Sequence, residues 1–152
     1  MARKEVRSGR QILLRVLFLV YAALMLWLLF GQRMDKEPKA WDNWNLIPLQ
    51  TLKLYSRLLR GSSGAYWKRH AWINLVGNVI LFIPLGCFLP AIWERFRSFL
   101  RCVLLAAMLI IAVELLQYAT ALGSCDVDDL LLNLLGTMLG FGAWKLLRST
   151  RL

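Results

Sequence analysis

Four long apolar stretches set this chain apart from anything that folds in water. A membrane-spanning helix needs about 20 mostly apolar residues to cross about 30 Å of hydrocarbon. Residues 12–31, 71–93, 102–122 and 130–147 meet that requirement. Arg15 sits near the start of the first and Lys145 near the end of the fourth, where a long cationic side chain reaches the headgroups. The second carries no charge, and the third only Glu114. Apolar residues make up 59% of the 152, against about 45–50% in a soluble domain even with glycine included. One compact core of this size cannot hide that excess. Seven Trp and seven Phe also rule out a solvated, disordered chain. The expected fold is therefore all-α: one membrane domain over residues 1–152, a four-helix transmembrane bundle with a long outer loop at 32–70.

What is missing narrows the chemistry. Cys87, Cys102 and Cys125 show no CxxC spacing and leave at least one thiol unpaired, and His70 is the lone histidine, so neither zinc nor a disulfide framework is indicated. P-loop and GxGxxG motifs are absent, and with them any support for nucleotide chemistry. No cofactor and no nucleic-acid partner are expected; the partners are membrane lipids, anionic ones included. Residues 3–10 are basic and lead into the first apolar run as a signal peptide would. The run is too long for a usual signal core and ends Phe30-Gly31-Gln32-Arg33 without a small-residue cleavage site, which favours an uncleaved anchor.

Cations orient the spans. Arg3, Lys4, Arg7 and Arg10, then Arg95, Arg97 and Arg101, then Lys145, Arg148 and Arg151 fall on one side. The loop at 123–129 carries only Asp126, Asp128 and Asp129. Both termini are thus expected in the cytoplasm. The loop at 32–70 dissents, facing outside with eight Lys/Arg, but it is the longest loop and the first helix dominates orientation. Within it, Pro48–Arg60 places Lys53, Arg57 and Arg60 at i, i+4, i+7, with Leu52, Tyr55 and Leu59 on another face. Such an amphipathic helix lies in the interface with its cations near anionic phosphates, or is simply a surface helix. Trp41, Trp44, Trp67 and Trp72 are expected at headgroup depth, and Gly61-Ser62-Ser63-Gly64 as a turn.

Helical spacing gathers the polar residues into stripes. Asn74 and Asn78 share a face of the second span, with Gly77 beside them as an expected helix-packing residue; Glu114 and Gln117 share a face of the third. Asp129, Asn133, Gly136 and Gly140 form one stripe along the fourth, and Gly136-x3-Gly140 is the spacing that lets two helix backbones approach closely. These stripes are expected to face one another, because polar groups facing lipid are costly. The cluster then occupies the outer half of the bundle. Glu114 stands out, since a comparable charge at a helix centre costs about 2.5–3.5 kcal/mol on insertion scales. Either it is functional, or it is protonated and bonded to Asn74, Asn78 or Asn133 to fix register. Pro84 and Pro90 predict a kink in the second span. Asp126 and Asp128 are weak candidates for a hard cation, and Asp129 is the expected N-cap of the fourth span.

The same residues resemble the VanZ-like family. The matching elements are Asn45-Leu46-Ile47-Pro48, Asn74-x2-Gly77-Asn78 with Phe82-x-Pro84-Leu85-Gly86, Glu114-x2-Gln117, and Gly123-Ser124-Cys125-Asp126-Val127-Asp128-Asp129 followed by Asn133, Gly136 and Gly140. Four elements in this order, from about residue 45 to 142, are specific together although each alone is weak. Where many members carry an Arg ahead of the acidic motif, Gly123 and Ser124 stand here. The resemblance implies a small bacterial plasma-membrane protein linked to the cell envelope or to low-level glycopeptide (teicoplanin) resistance in Gram-positive bacteria. Three functions follow as expectations, in order: a non-enzymatic protein that meets a lipid-linked cell-wall precursor or a glycopeptide at the outer leaflet; a membrane-embedded enzyme with Glu114 as acid or base; and a proton-coupled transporter, oligomeric through Gly136 and Gly140.

Overall fold

A computed structural model of the chain describes residues 2–31, 44–122 and 125–150, the side chains of residues 2–8 and of Trp44 excepted. Gln32, Arg33, Trp41, Gly123, Ser124 and Arg151, named above, lie outside the described residues. The elements are α1 (Ala2–Leu29), β1 (Trp44–Asn45), α2 (Gln50–Arg60), α3 (Ala65–Ile92), a 3-10 turn (Glu94–Arg97), α4 (Phe99–Ala119), β2 (Cys125–Asp126) and α5 (Val127–Ser149). Among the described residues, four helices are long and apolar enough to cross a membrane: Gly9–Leu29, Ala65–Ile92, Phe99–Ala119 and Val127–Ser149. The all-α transmembrane bundle expected from the four apolar stretches is the fold observed.

Burial is distributed as lipid demands. Ile12, Leu19, Val20, Leu104, Met108 and Leu146 are exposed, whereas Glu114, Gln117, Asp126, Asp128, Asn133 and Thr137 are buried. Long apolar runs facing outward are costly in water and ordinary in hydrocarbon, while polar side chains within the spans are kept from lipid. The core is a cluster of Phe82, Leu85, Leu89, Cys102, Ala106, Ile110 and Phe141, from α3, α4 and α5. α1 leans on it from outside through Phe18, Tyr21 and Met25, and the Tyr21 hydroxyl donates to the Leu81 carbonyl at 2.8 Å.

Three glycines bring the central pair together. A Cβ on Gly136 would stand 2.1 Å from the Val79 carbonyl oxygen, one on Gly140 2.0 Å from that of Ile83, and one on Gly86 2.0 Å from that of Thr137. Side chains at these positions would drive α3 and α5 apart, so the small residues permit backbone contact. Gly136 and Gly140 are therefore engaged inside one chain, not in the contact between copies that the transporter expectation required. Gly77, expected to pack against a neighbouring helix, is different: a Cβ there would meet nothing within 4 Å. Gly86 does that work instead.

The helices also outrun their apolar stretches. α3 begins at Ala65, six residues before its expected span, and carries Tyr66, Trp67, Lys68, Arg69 and His70 in its first turns. Apolarity marks the hydrocarbon, not the helix end. The helix passes through Pro84 and Pro90 without ending, although each proline removes one backbone donor from its interior. The Gly61–Gly64 turn lies where expected, with Gly61 the C-cap of α2 and Gly64 the N-cap of α3.

The start of α1 meets the end of α3 (Gln11 Nε2 to the Ala91 carbonyl, 3.4 Å), and its other end meets the end of α4 (Gln117 Nε2 to the Leu29 carbonyl, 2.9 Å). The bundle thus has two ends. One, the acidic end, gathers α2, β1, β2 and the start of α5. The other, the basic end, gathers the start of α1, the 3-10 turn and the end of α5.

Candidate functional site

Two helix starts converge at the acidic end, and carboxylates fill the space between them. Asp126 is the N-cap of α5, its Oδ1 accepting from the Asp128 N–H at 2.8 Å. The N-cap expected at Asp129 is thus three residues too late, because a helix cap needs extended backbone and Asp129 already lies in the first turn. Asp126 also accepts from Asn45 Nδ2 (3.0 Å, Oδ1) and Thr51 Oγ1 (2.7 Å, Oδ2), while Asn45 Nδ2 reaches Thr51 Oγ1 at 2.7 Å. Parallel pairing of β1 with β2, Asn45 opposite Asp126, fixes this register.

Asp128 is completely buried. Its Oδ1 accepts from the Leu49 N–H at 2.6 Å and its Oδ2 from the Leu52 N–H at 3.1 Å. Leu49 and Leu52 are the N-cap and third residue of α2, whose N-cap has no side-chain bond of its own. A carboxylate from α5 therefore caps a helix about 75 residues earlier in the chain, at the positive end of two helix dipoles. Leu49 holds φ 67°, the left-handed region, at a cost of order 1 kcal/mol for a non-glycine residue. The bond from Asp128 offsets that strain. Both carboxylates are thus occupied by protein donors, which explains why their spacing alone does not make a cation site; among the described residues no group of three or more His, Cys, Asp or Glu is placed to hold a metal.

Asp129 points into the bundle, where Asn78 Nδ2 donates to its Oδ1 at 2.6 Å. Asn133, one turn on, is buried, and its Oδ1 has no hydrogen-bond partner among the described residues. The α5 stripe of Asp129, Asn133, Gly136 and Gly140 thus faces α3. Asn74 does not join it: its amide donates back to the His70 carbonyl of its own helix at 2.8 Å. Gln117 is buried but reaches sideways to α1. Glu114 is buried and lines a cavity of about 110 Å³ with Leu46, Ile111, Leu115, Cys125, Asp126, Val127 and Leu130.

Above this network lies α2, with no buried residue. Lys53, Arg57 and Arg60 are exposed, and Gln50, Lys53, Leu54 and Arg57 line an open groove. Tyr55 faces inward instead: burial pushes its phenol up to about 12, and the charges of Asp129 and Asp126 add to the shift. Sequence reasoning missed Thr51 and the roles of Asn45 and Leu49. The signal available was Asn45 beside a proline-ended turn just ahead of an amphipathic run.

Cys125 sits between these carboxylates. Burial raises its thiol above the ordinary 9.0, and Glu114 and Asp126 raise it further. Only the thiolate attacks, so a raised value lowers reactivity at every pH below it. In a chain whose sole thiol is Cys125, maleimide labelling at pH 7 is expected to run slower than that of a free thiol and to keep rising beyond pH 9. A labelling rate that levels off below pH 9 contradicts this electrostatic picture.

A bundle with four lipid-facing apolar spans among the described residues, and a carboxylate network clasping an amphipathic helix at one end, defines a small multi-pass integral membrane protein. The VanZ/LLP1 family model matches residues 18–148, and the chain belongs to this VanZ-like family. It is 31% identical over 73 residues to Protein VanZ of Enterococcus faecium, a match covering 48% of this chain and 45% of the enterococcal protein. The aligned part is thus under half the length of that relative. No solved structure matches the chain.

Proposed function

We propose that this protein is a non-enzymatic component of a bacterial plasma membrane, with the acidic end facing outside, and that it lowers access of a lipophilic glycopeptide such as teicoplanin to the outer leaflet. The observation that carries the reading is the clasp: Asp126 and Asp128 use their oxygens to hold residues 45–52, so the exposed cations Lys53, Arg57 and Arg60 of α2 are presented at a fixed height on the bundle. Cations held at that depth engage the phosphates of anionic lipid or of a lipid-linked cell-wall precursor, each worth about 1 kcal/mol near a charged surface. The orientation rests on the Lys/Arg distribution, and the link to teicoplanin on membership of the family.

Expressed in a sensitive Gram-positive host, the wild type is expected to raise teicoplanin tolerance. A variant carrying Lys53→Gln, Arg57→Gln and Arg60→Gln, at matched membrane level, should lose that protection together with binding to anionic vesicles. Undiminished protection by the triple variant would overturn the proposal.

A second reading has its own observation, Glu114 lining a cavity shared with Cys125 and Asp126. A desolvated carboxyl there is suited to general acid or base work on an envelope lipid. Glu114→Gln separates the two readings: it abolishes protection if the carboxyl moves a proton and leaves it intact if α2 carries the function.

A further inference from the structure

The basic end holds a second site, unconnected to the carboxylate clasp. Between the start of α4 and the end of α5 opens a cleft of about 390 Å³, lined by Arg97, Phe99, Phe141, Trp144, Lys145 and Arg148 together with Ser149. Its floor is aromatic. Phe99 packs edge-on against Phe141, with ring centroids 5.5 Å apart, and Phe141 lies 5.4 Å from Trp144. Phe141 is buried while Phe99 is half exposed, so the floor continues out onto the surface that meets lipid.

The rim is cationic. Arg148 lies over the Trp144 ring, 5.5 Å from its centroid, which holds the guanidinium beside the cleft through its contact with the aromatic face. Lys145, one turn earlier on α5, is exposed. Arg97 contributes the third cation, and Glu94 pairs with it at 2.6 Å from an exposed position. Lys145 and Arg148 thus leave net positive charge over an apolar floor, at the level where a spanning helix leaves the hydrocarbon.

A soluble anion has no use for three aromatic rings, and an acyl chain has no use for three cations. One molecule needs both: a phospholipid with a net negative headgroup. We propose that this cleft binds one anionic phospholipid, its phosphodiester between Lys145 and Arg148 and the start of an acyl chain along Phe99 and Phe141. Arg97, half neutralised by Glu94, is a lesser contributor. The aromatic floor fixes the depth of the lipid and the cations choose its charge.

The test uses the full-length protein in mild detergent with phosphatidylglycerol and phosphatidylcholine competing, retained lipid being counted by native mass spectrometry. Wild type is expected to retain one phosphatidylglycerol in preference to phosphatidylcholine. Lys145→Gln with Arg148→Gln should lower that preference roughly 25-fold, two surface cations each supplying about fivefold. Lys145→Arg with Arg148→Lys keeps both charges and should retain the preference, which separates binding from folding. Lys68→Gln with Arg69→Gln, at the other end of the bundle, should leave this lipid in place. An unchanged preference in the neutralised variant would overturn the proposal. So would displacement of the lipid by millimolar inorganic phosphate, which would make the cleft a site for a free anion.

Discussion

Replacing Gly140 by leucine is expected to abolish the folded bundle. A Cβ alone at this position would stand 2.0 Å from the Ile83 carbonyl oxygen and 2.9 Å from its carbon, with Gly86 Cα at 3.1 Å. These are backbone atoms of α3 and have no rotamer in which to move aside. The helices must separate, and separation also strips Gly86 from the Thr137 carbonyl and Gly136 from that of Val79. Overpacking costs about 1–3 kcal/mol where a core can yield; here it should exceed that range, because the whole α3–α5 seam opens. Alanine at Gly140 is expected to cost about 3 kcal/mol, a large share of the stability of a small domain. Gly77→Ala is the matched control: its Cβ meets nothing within 4 Å, and alanine favours a helix over glycine by up to about 1 kcal/mol. Trypsin resistance and monodispersity in mild detergent should fail for Gly140→Leu and persist for Gly77→Ala. A well-folded Gly140→Leu protein would show that the seam is not where the bundle is held.

The second large effect concerns the clasp. Asp128→Ala removes the acceptor of two N–H groups, those of Leu49 and Leu52. Each bond to a charged group contributes about 1.5–3 kcal/mol, so local opening of the first turn of α2 should become a hundredfold easier or more, about 3 kcal/mol in all. Leu49 has a left-handed backbone and gains nothing by staying there once its partner is gone. Asp128→Asn keeps one acceptor oxygen but turns an amide donor toward a second N–H, and should fall between the two. Hydrogen exchange at Leu49 and Leu52 reads this directly, with amides along α4 as the internal reference. Equal protection in wild type and Asp128→Ala would mean that α2 is held by its packing on α3 alone.

Much of this architecture was legible in the sequence, and the reasons differ by element. The four spans are visible because hydrocarbon thickness imposes a length and a composition that water does not. The α5 stripe is visible because Asp129, Asn133, Gly136 and Gly140 obey helical spacing and lie on a helix buried on that side. Gly77 misled because its place beside Asn74 and Asn78 does not say which face meets a neighbour, and only the register of α3 against α5 decides between Gly77 and Gly86. Asn74 misled for a related reason, its amide being satisfied by its own helix at His70. The Asp128 half of the clasp could not be read. Asp128 and Leu49 stand 79 residues apart, and a carboxylate that accepts from backbone N–H groups leaves no side-chain partner in the sequence to find. The three aspartates therefore invite a metal reading, while the fold separates their roles. Asp126 caps α5, Asp128 caps α2, and Asp129 bonds Asn78 on α3.

The geometry also divides the chain's charge between two chemical surfaces. Cations at the acidic end ride on a helix with no buried residue that is tethered by its first turn, whereas those at the basic end sit on the ends of spanning helices over aromatic rings. The first arrangement hangs on the hydrogen bonds that Asp126 and Asp128 accept from residues 45–52; the second is part of the bundle itself.

Function, in the reading proposed above, depends on the carboxylate clasp holding α2 in the position from which its cations act. The direct measurement is teicoplanin susceptibility of a sensitive Gram-positive host expressing wild type or Asp128→Ala at matched membrane levels, with release of α2 verified by hydrogen exchange. The expected result is protection by wild type and its loss in Asp128→Ala, although Lys53, Arg57 and Arg60 are all still present. Full protection by a variant whose α2 is demonstrably released would contradict the account.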